Sequence, residues 1–180
     1  MDLELDGKTA IVTGGSRGIG KAIARQLAEE RVDVAIVART KKDLLETAEE
    51  LQRETERRII PITADTGDDE SVKAMVQRAA EALGHLDILV NCAARVAGTG
   101  PSQALADITW DDVWADVNVK VMGYLRCAQA VAPHMRRKGW GRIVNISGMA
   151  ARRASGAINS MRNVSVVALT KNLAAELGPD

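Results

Sequence analysis

The stretch Thr13-Gly14-Gly15-Ser16-Arg17-Gly18-Ile19-Gly20 combines four closely spaced glycines with one cation. Glycine can take left-handed backbone angles and, having no Cβ, lets a bulky anion approach the main chain. The apolar run Thr9 to Thr13 precedes the turn, and a helical pattern (Ile19, Ala22, Ile23, Leu27) follows it. A helix starting there offers unpaired N–H groups and about half a positive elementary charge to whatever sits in the turn. The chemistry this setting suits is phosphate or pyrophosphate binding. A glycine turn alone also serves tight packing, so its neighbours carry the reading.

Those neighbours alternate regularly. Strand signals occur at Thr9–Thr13, Val34–Val37, Ile59–Ile62, Asp87–Val90 and Arg142–Ile146. Between them lie helical stretches: Lys41 to Glu56 with Leu44, Leu45, Ala48 and Leu51 as inner stripe, and Ser71 to Leu83. A long helix is expected from about Trp110 to Met135, and a last one over Ala157 to Leu177. Short apolar strands that alternate with helices give a parallel sheet covered on both faces by right-handed crossovers. The expected fold class is α/β, a Rossmann-like, doubly wound parallel sheet of five strands. No linker or repeat divides residues 1–180, so one domain is expected.

The spacing Gly14-x-x-x-Gly18-x-Gly20 after a strand ending in Thr resembles the short-chain dehydrogenase/reductase family. Further segments agree along the whole chain: Asp65-Thr66 after the third strand, Asn91-Cys92-Ala93-Ala94 after the fourth, Asn145-Ile146-Ser147 at the fifth, and Leu169 to Leu177 on the last helix. The resemblance implies that Gly14, Ser16, Arg17, Gly18, Ile19 and Gly20 hold a dinucleotide pyrophosphate. It implies that Asp65 and Thr66 meet the adenine, and that Asn91 and Ala93, matching the family's Asn-Asn-Ala-Gly segment, also bind the cofactor. An NAD-selective site carries a carboxylate at the end of the second strand to hold the ribose 2′-hydroxyl. Here that position reads Ala38-Arg39, and Arg39 with Arg17 can grip a 2′-phosphate. NADP(H) is favoured over NAD(H).

The proton chemistry departs from the family pattern. A Tyr, and a Lys four residues later, should lie on the last helix, because a phenol with a pKa of about 10 works near neutral pH only beside a cation. Counting back from Leu169-Thr170 places these roles on Asn159 and Asn163, and neither amide titrates. Ser147 matches the family Ser, although the stretch to Asn159 is one residue short and the following position is Gly148. The family Asn falls on Asn118 by local pattern or on Lys120 by spacing to Gly123. An oxidoreductase that interconverts an alcohol and a carbonyl with an atypical proton donor is the first expectation. An inactive cofactor-binding or scaffold subunit is the alternative. Tyr124, the single tyrosine, is expected to be a packing residue.

Composition excludes other classes. Twenty-four basic residues balance twenty-four acidic ones, so no overall field draws the chain to nucleic acid or anionic membrane. The acidic start, Met1 to Lys8, has no basic leader, and no apolar run approaches the roughly 20 residues that span a bilayer. A cytoplasmic location is expected. Two cysteines, Cys92 and Cys127, are too few for a zinc site or a disulfide framework. The family resemblance implies a homo-oligomer, paired through the long and last helices, and a small carbonyl or alcohol substrate. It also implies more chain after Glu176 than the sequence contains. The chain is therefore expected to be part of a longer protein, with an unpaired edge on the fifth strand.

Overall fold

Alternating side chains of the first strand, β1 (Thr9–Thr13), feed two separate cores. Ile11 points to one face of the sheet, and Ala10 and Val12 to the other. The computed structural model describes residues 3–95 and 104–178, so the extreme ends of the expected 1–180 domain lie outside the described residues. Around β1 are β2 (Asp33–Ala38), β3 (Ile59–Thr63), β4 (Ile88–Asn91) and β5 (Arg142–Asn145). All pairings are parallel, in the order β3-β2-β1-β4-β5.

Helices cover both faces. On one side, α1 (Gly18–Glu29) and α2 (Lys41–Thr55) pack on Ala10, Val12, Val34 and Ile36. On the other, α3 (Asp69–Leu83) and α5 (Gly123–Lys138) cover Ile11, Ala35, Val37 and Leu89. Pro61 sits in β3, where the missing N–H costs nothing because β3 is an edge.

Two expected stripes shift. In α1 the fully buried positions are Gly20, Ala24 and Ala28, with Ile23 and Leu27 packed partly against them, while Ile19 is 64% exposed. Small residues let α1 lie close to the strands, which moves its contact line off Ile19 and Ala22. In α2, Thr47 replaces Leu45 on the inner face because its hydroxyl donates to the Ser16 carbonyl at 2.9 Å, tying α2 to the glycine turn.

The expected long helix is present in three parts: α4 (Trp110–Val117), a wider π-helical turn over Asn118–Met122, and α5. Thr109 caps α4 in a reciprocal box with Asp112. The final helix, α6 (Ala157–Leu177), occupies the expected range. No described strand pairs with the outer side of β5, whose Val144 is exposed.

Candidate cofactor cleft and proton site

The chain runs outward from β1 to β2 and β3, then returns to β4 on the other side of β1. At such a switch point the carboxyl ends of neighbouring strands diverge and leave a crevice. A cleft of about 590 Å³ lies there. It gathers Gly14, Ser16, Arg17, Gly18, Ile19 and Gly20 from the turn, Arg39 after β2, Asp65 and Thr66 after β3, and Ala93 after β4. Sequence reasoning missed Asp43 and Cys92, which also line it.

Gly14 and Gly20 of the turn leave little or no room for a side chain. A Cβ on Gly20 would lie 2.2 Å from the Gly14 carbonyl oxygen, and one on Gly14 would lie 3.1 Å from the Ala93 backbone. Gly14 N–H donates to the Val37 carbonyl at 2.8 Å, which fixes the turn over the end of β2. At the start of α1, Arg17 occupies the capping position without a side-chain hydrogen bond. The first amides of α1 therefore have no side-chain acceptor from that cap and border the cleft. These features fit a dinucleotide pyrophosphate, and the cradle is one that a Cβ would fill.

Thr13 locks the facing wall. Its hydroxyl accepts from the Cys92 and Ala93 amides, at 3.1 and 3.2 Å. Asp65 forms the opposite corner by accepting from the Gly67 amide at 2.8 Å. Asn91 does not line the cleft. It is buried beneath it, donating to Asn145 Oδ1 at 2.9 Å and so bridging β4 to β5, while its own Oδ1 has no partner among the described residues.

The expected proton-site residues separate into two groups. Asn118 faces the loop after β3, donating through Nδ2 to the Gly67 carbonyl at 3.0 Å. Lys120 turns the other way and meets α6, where Nζ donates to Asn163 Oδ1 at 2.9 Å. Two positions apart on a helix lie on nearly opposite sides, so residues 118 and 120 face different neighbours. Of the two alternatives left by the sequence, Lys120 is the one that joins Ser147, Asn159 and Asn163. Ser147 Oγ donates to the Asn163 carbonyl at 3.0 Å, and Asn163 Nδ2 donates to the Asn159 carbonyl at 2.8 Å.

This cluster holds strong charge in little water. Lys120 is 6% exposed and Arg162 is 4% exposed; Arg162 pairs with Asp116 of α4. Burial, and then the Arg162 guanidinium, hold the Lys120 ammonium below the usual lysine range. Burial pushes the Cys92 thiol up. Tyr124 is fully buried, with its hydroxyl donating to the Ile146 carbonyl at 3.2 Å, and burial raises its pKa above the usual phenol value. It packs, as the sequence suggests. His85 lies 3.0 Å from Asp87, at the opposite end of the sheet. No cluster able to hold a metal occurs among the described residues, and no described helix is long and apolar enough to cross a membrane.

A parallel sheet with a glycine cradle at its switch point defines a Rossmann-like nucleotide-binding domain. The family model for short chain dehydrogenases matches residues 8–180, and the chain belongs to that family. It is 40% identical over 174 residues to the short-chain reductase protein NovJ of Streptomyces niveus, covering 94% of this chain and 63% of that protein. A solved short chain dehydrogenase from Burkholderia cenocepacia in complex with NADP aligns with a TM-score of 0.85 and 38% identity, over 97% of this chain and 70% of that one. NAD+-bound xylitol dehydrogenase aligns at 0.91 and 27% identity, over 98% of this chain and 67% of that one. The chain thus spans about two thirds of these relatives' length.

Proposed function

We propose that this protein is an NADP(H)-dependent oxidoreductase that interconverts an alcohol and a carbonyl on a small molecule. The observation that carries the reading is the cleft that joins the glycine cradle to Arg17 and Arg39. Neither arginine pairs with a carboxylate among the described residues, which leaves both free of internal partners there. Asp43 also borders the cleft and opposes a 2′-phosphate, but it stands against two guanidinium groups.

Arg39→Ala is the direct test of cofactor choice. A charge-assisted hydrogen bond contributes about 1.5–3 kcal/mol, so NADPH affinity should fall about 10- to 100-fold while NADH affinity changes less than about threefold. Equal losses for both dinucleotides in a binding titration would remove the basis for the NADP preference.

A second reading, a cofactor-binding subunit without catalysis, is favoured by Asn159 and Asn163. Asn163 has both ends of its amide engaged, with Lys120 and with the Asn159 carbonyl, and neither residue can release a proton. Turnover with a carbonyl panel separates the two readings.

We also propose a homo-oligomer formed through α4 and α6, in a cytoplasmic setting. Trp110, Trp114, Met161, Val164 and Val167 expose apolar surface on these two adjoining helices, and a patch of this kind marks an association surface. Light scattering should give a dimer or larger species that Val167→Glu shifts toward monomer. A monomeric parent at micromolar concentration would contradict the proposal.

A further inference from the structure

Lys120 is a buried ammonium that nothing in the structural role of its helix requires. An ammonium carries three donors, and only one is engaged here, with the neutral amide oxygen of Asn163. No carboxylate among the described residues lies within ion-pair distance of it. The nearby carboxylate, Asp116, is held by Arg162 instead. A buried cation without a counter-ion is costly, and such groups concentrate at functional sites.

Its position gives the group something to do. Lys120 lies on the π-helical turn, an irregularity that recurs at functional sites, and its chain neighbour Val119 lines the cofactor cleft. Cys92, another lining residue, is close enough for its charge to act on Lys120. Asn163, Asn159 and Ser147, the positions where this family's proton chemistry falls, are connected to Lys120 through Asn163. Asn159 and Asn163 cannot titrate, Tyr124 is buried away with a raised pKa, and Arg162 does not release its proton near neutral pH. With burial pushing the Cys92 thiol up, Lys120 is the group of the cluster, among the described residues, that carries a proton to give and is held below its usual range.

We infer that Lys120 is the proton-transferring group of this site, taking over from the phenol that position 159 lacks. The inference rests on the oxidoreductase reading. The bound dinucleotide supplies the hydride and with it both electrons. As the carbonyl carbon accepts the hydride, its oxygen takes a proton from Nζ, the N–H bond breaks, and a neutral amine is left for water to reprotonate. In the oxidising direction the neutral amine accepts the alcohol proton. Reduction therefore slows as pH rises through the Lys120 pKa, and oxidation speeds up. The charged and titratable groups set around Nζ are Arg162 of α6, Asp116 of α4 and Cys92 at the end of β4, and they tune that pKa together with burial.

The test uses the full chain and two variants, Lys120→Arg and Lys120→Met. Lys120→Arg keeps the positive charge but cannot release a proton, so it separates proton transfer from electrostatic support. Both variants should bind NADPH within about threefold of the parent, and both should lose about 10²–10⁴ in carbonyl reduction. The alkaline limb of the parent's pH profile should vanish in both. A readout independent of turnover is 15N NMR of the lysine ammonium, assigned by the resonance that Lys120→Met removes; it should titrate below an ordinary lysine. An ordinary or higher value overturns the inference whether or not turnover is found, and so does Lys120→Arg with parental rate and pH profile. Failure of the parent to bind NADPH overturns the oxidoreductase reading instead, whatever value Lys120 shows.

Discussion

Gly20→Ala should abolish measurable NADPH binding, lowering affinity at least about 100-fold, and should also cost about 1–3 kcal/mol of stability, as forced overpacking does. The new Cβ would lie 2.2 Å from the Gly14 carbonyl oxygen and 2.7 Å from its carbon. Backbone atoms cannot swing aside like a side chain, so the turn must open. Opening it displaces Gly14, which is pinned to Val37 through its amide, and pulls the cradle away from the start of α1. Gly18→Ala is the matched control. Its Cβ meets nothing within 4 Å and only the positive φ of 56° opposes it, a strain of about 1–2 kcal/mol. Urea denaturation and a dinucleotide titration on both variants check the difference. If Gly20→Ala binds NADPH like the parent, the turn does not hold the phosphates.

Asn159→Tyr should raise carbonyl reduction about 10²-fold. That is the lower end of what a positioned acid contributes, because Lys120 already supplies a proton to the site. The new phenol would enter α6 one turn from Asn163, whose Oδ1 lies 2.9 Å from the Lys120 ammonium. A cation so placed favours the charged phenol and brings its pKa toward neutrality. The double variant Asn159→Tyr with Asn163→Lys, which restores the family's residue pair, should do worse than the single one. It would bring a second ammonium beside Lys120, and two like charges in a buried site destabilise each other. Steady-state kinetics on the two variants decide it; a double variant faster than the single one would show that Lys120 does not supply the local charge.

The strands were legible because each is a short apolar run set off by a turn, and parallel topology follows from the intervening helices; their order in the sheet comes from the structure. Most cleft residues were legible for the same reason: the carboxyl ends of parallel strands lie along one edge of the sheet, so residues just after β1, β2, β3 and β4 share one crevice. Asn91 shows the limit. The last residue of a strand can point into the sheet or toward the crevice, and here it bridges β4 to β5. Ile19 and Leu45 were misplaced because apolar spacing does not reveal that Gly20, Ala24 and Ala28 let α1 approach the sheet, or that Thr47 has a carbonyl to bond. The π-helical turn was invisible to helical periodicity. Its one trace in the sequence was the conflict over Asn118 and Lys120 in the spacing to Gly123. Positions 118 and 120 lie on opposite sides of the helix, and the structure shows that it is Lys120 that faces α6.

A fluorescence titration of the purified chain with NADPH and with NADH, followed by addition of ketones and aldehydes, tests the central claim most directly. The account predicts saturable NADPH binding, at least about tenfold tighter than NADH, and slow NADPH consumption with some carbonyl in the panel. No binding of either dinucleotide would contradict it.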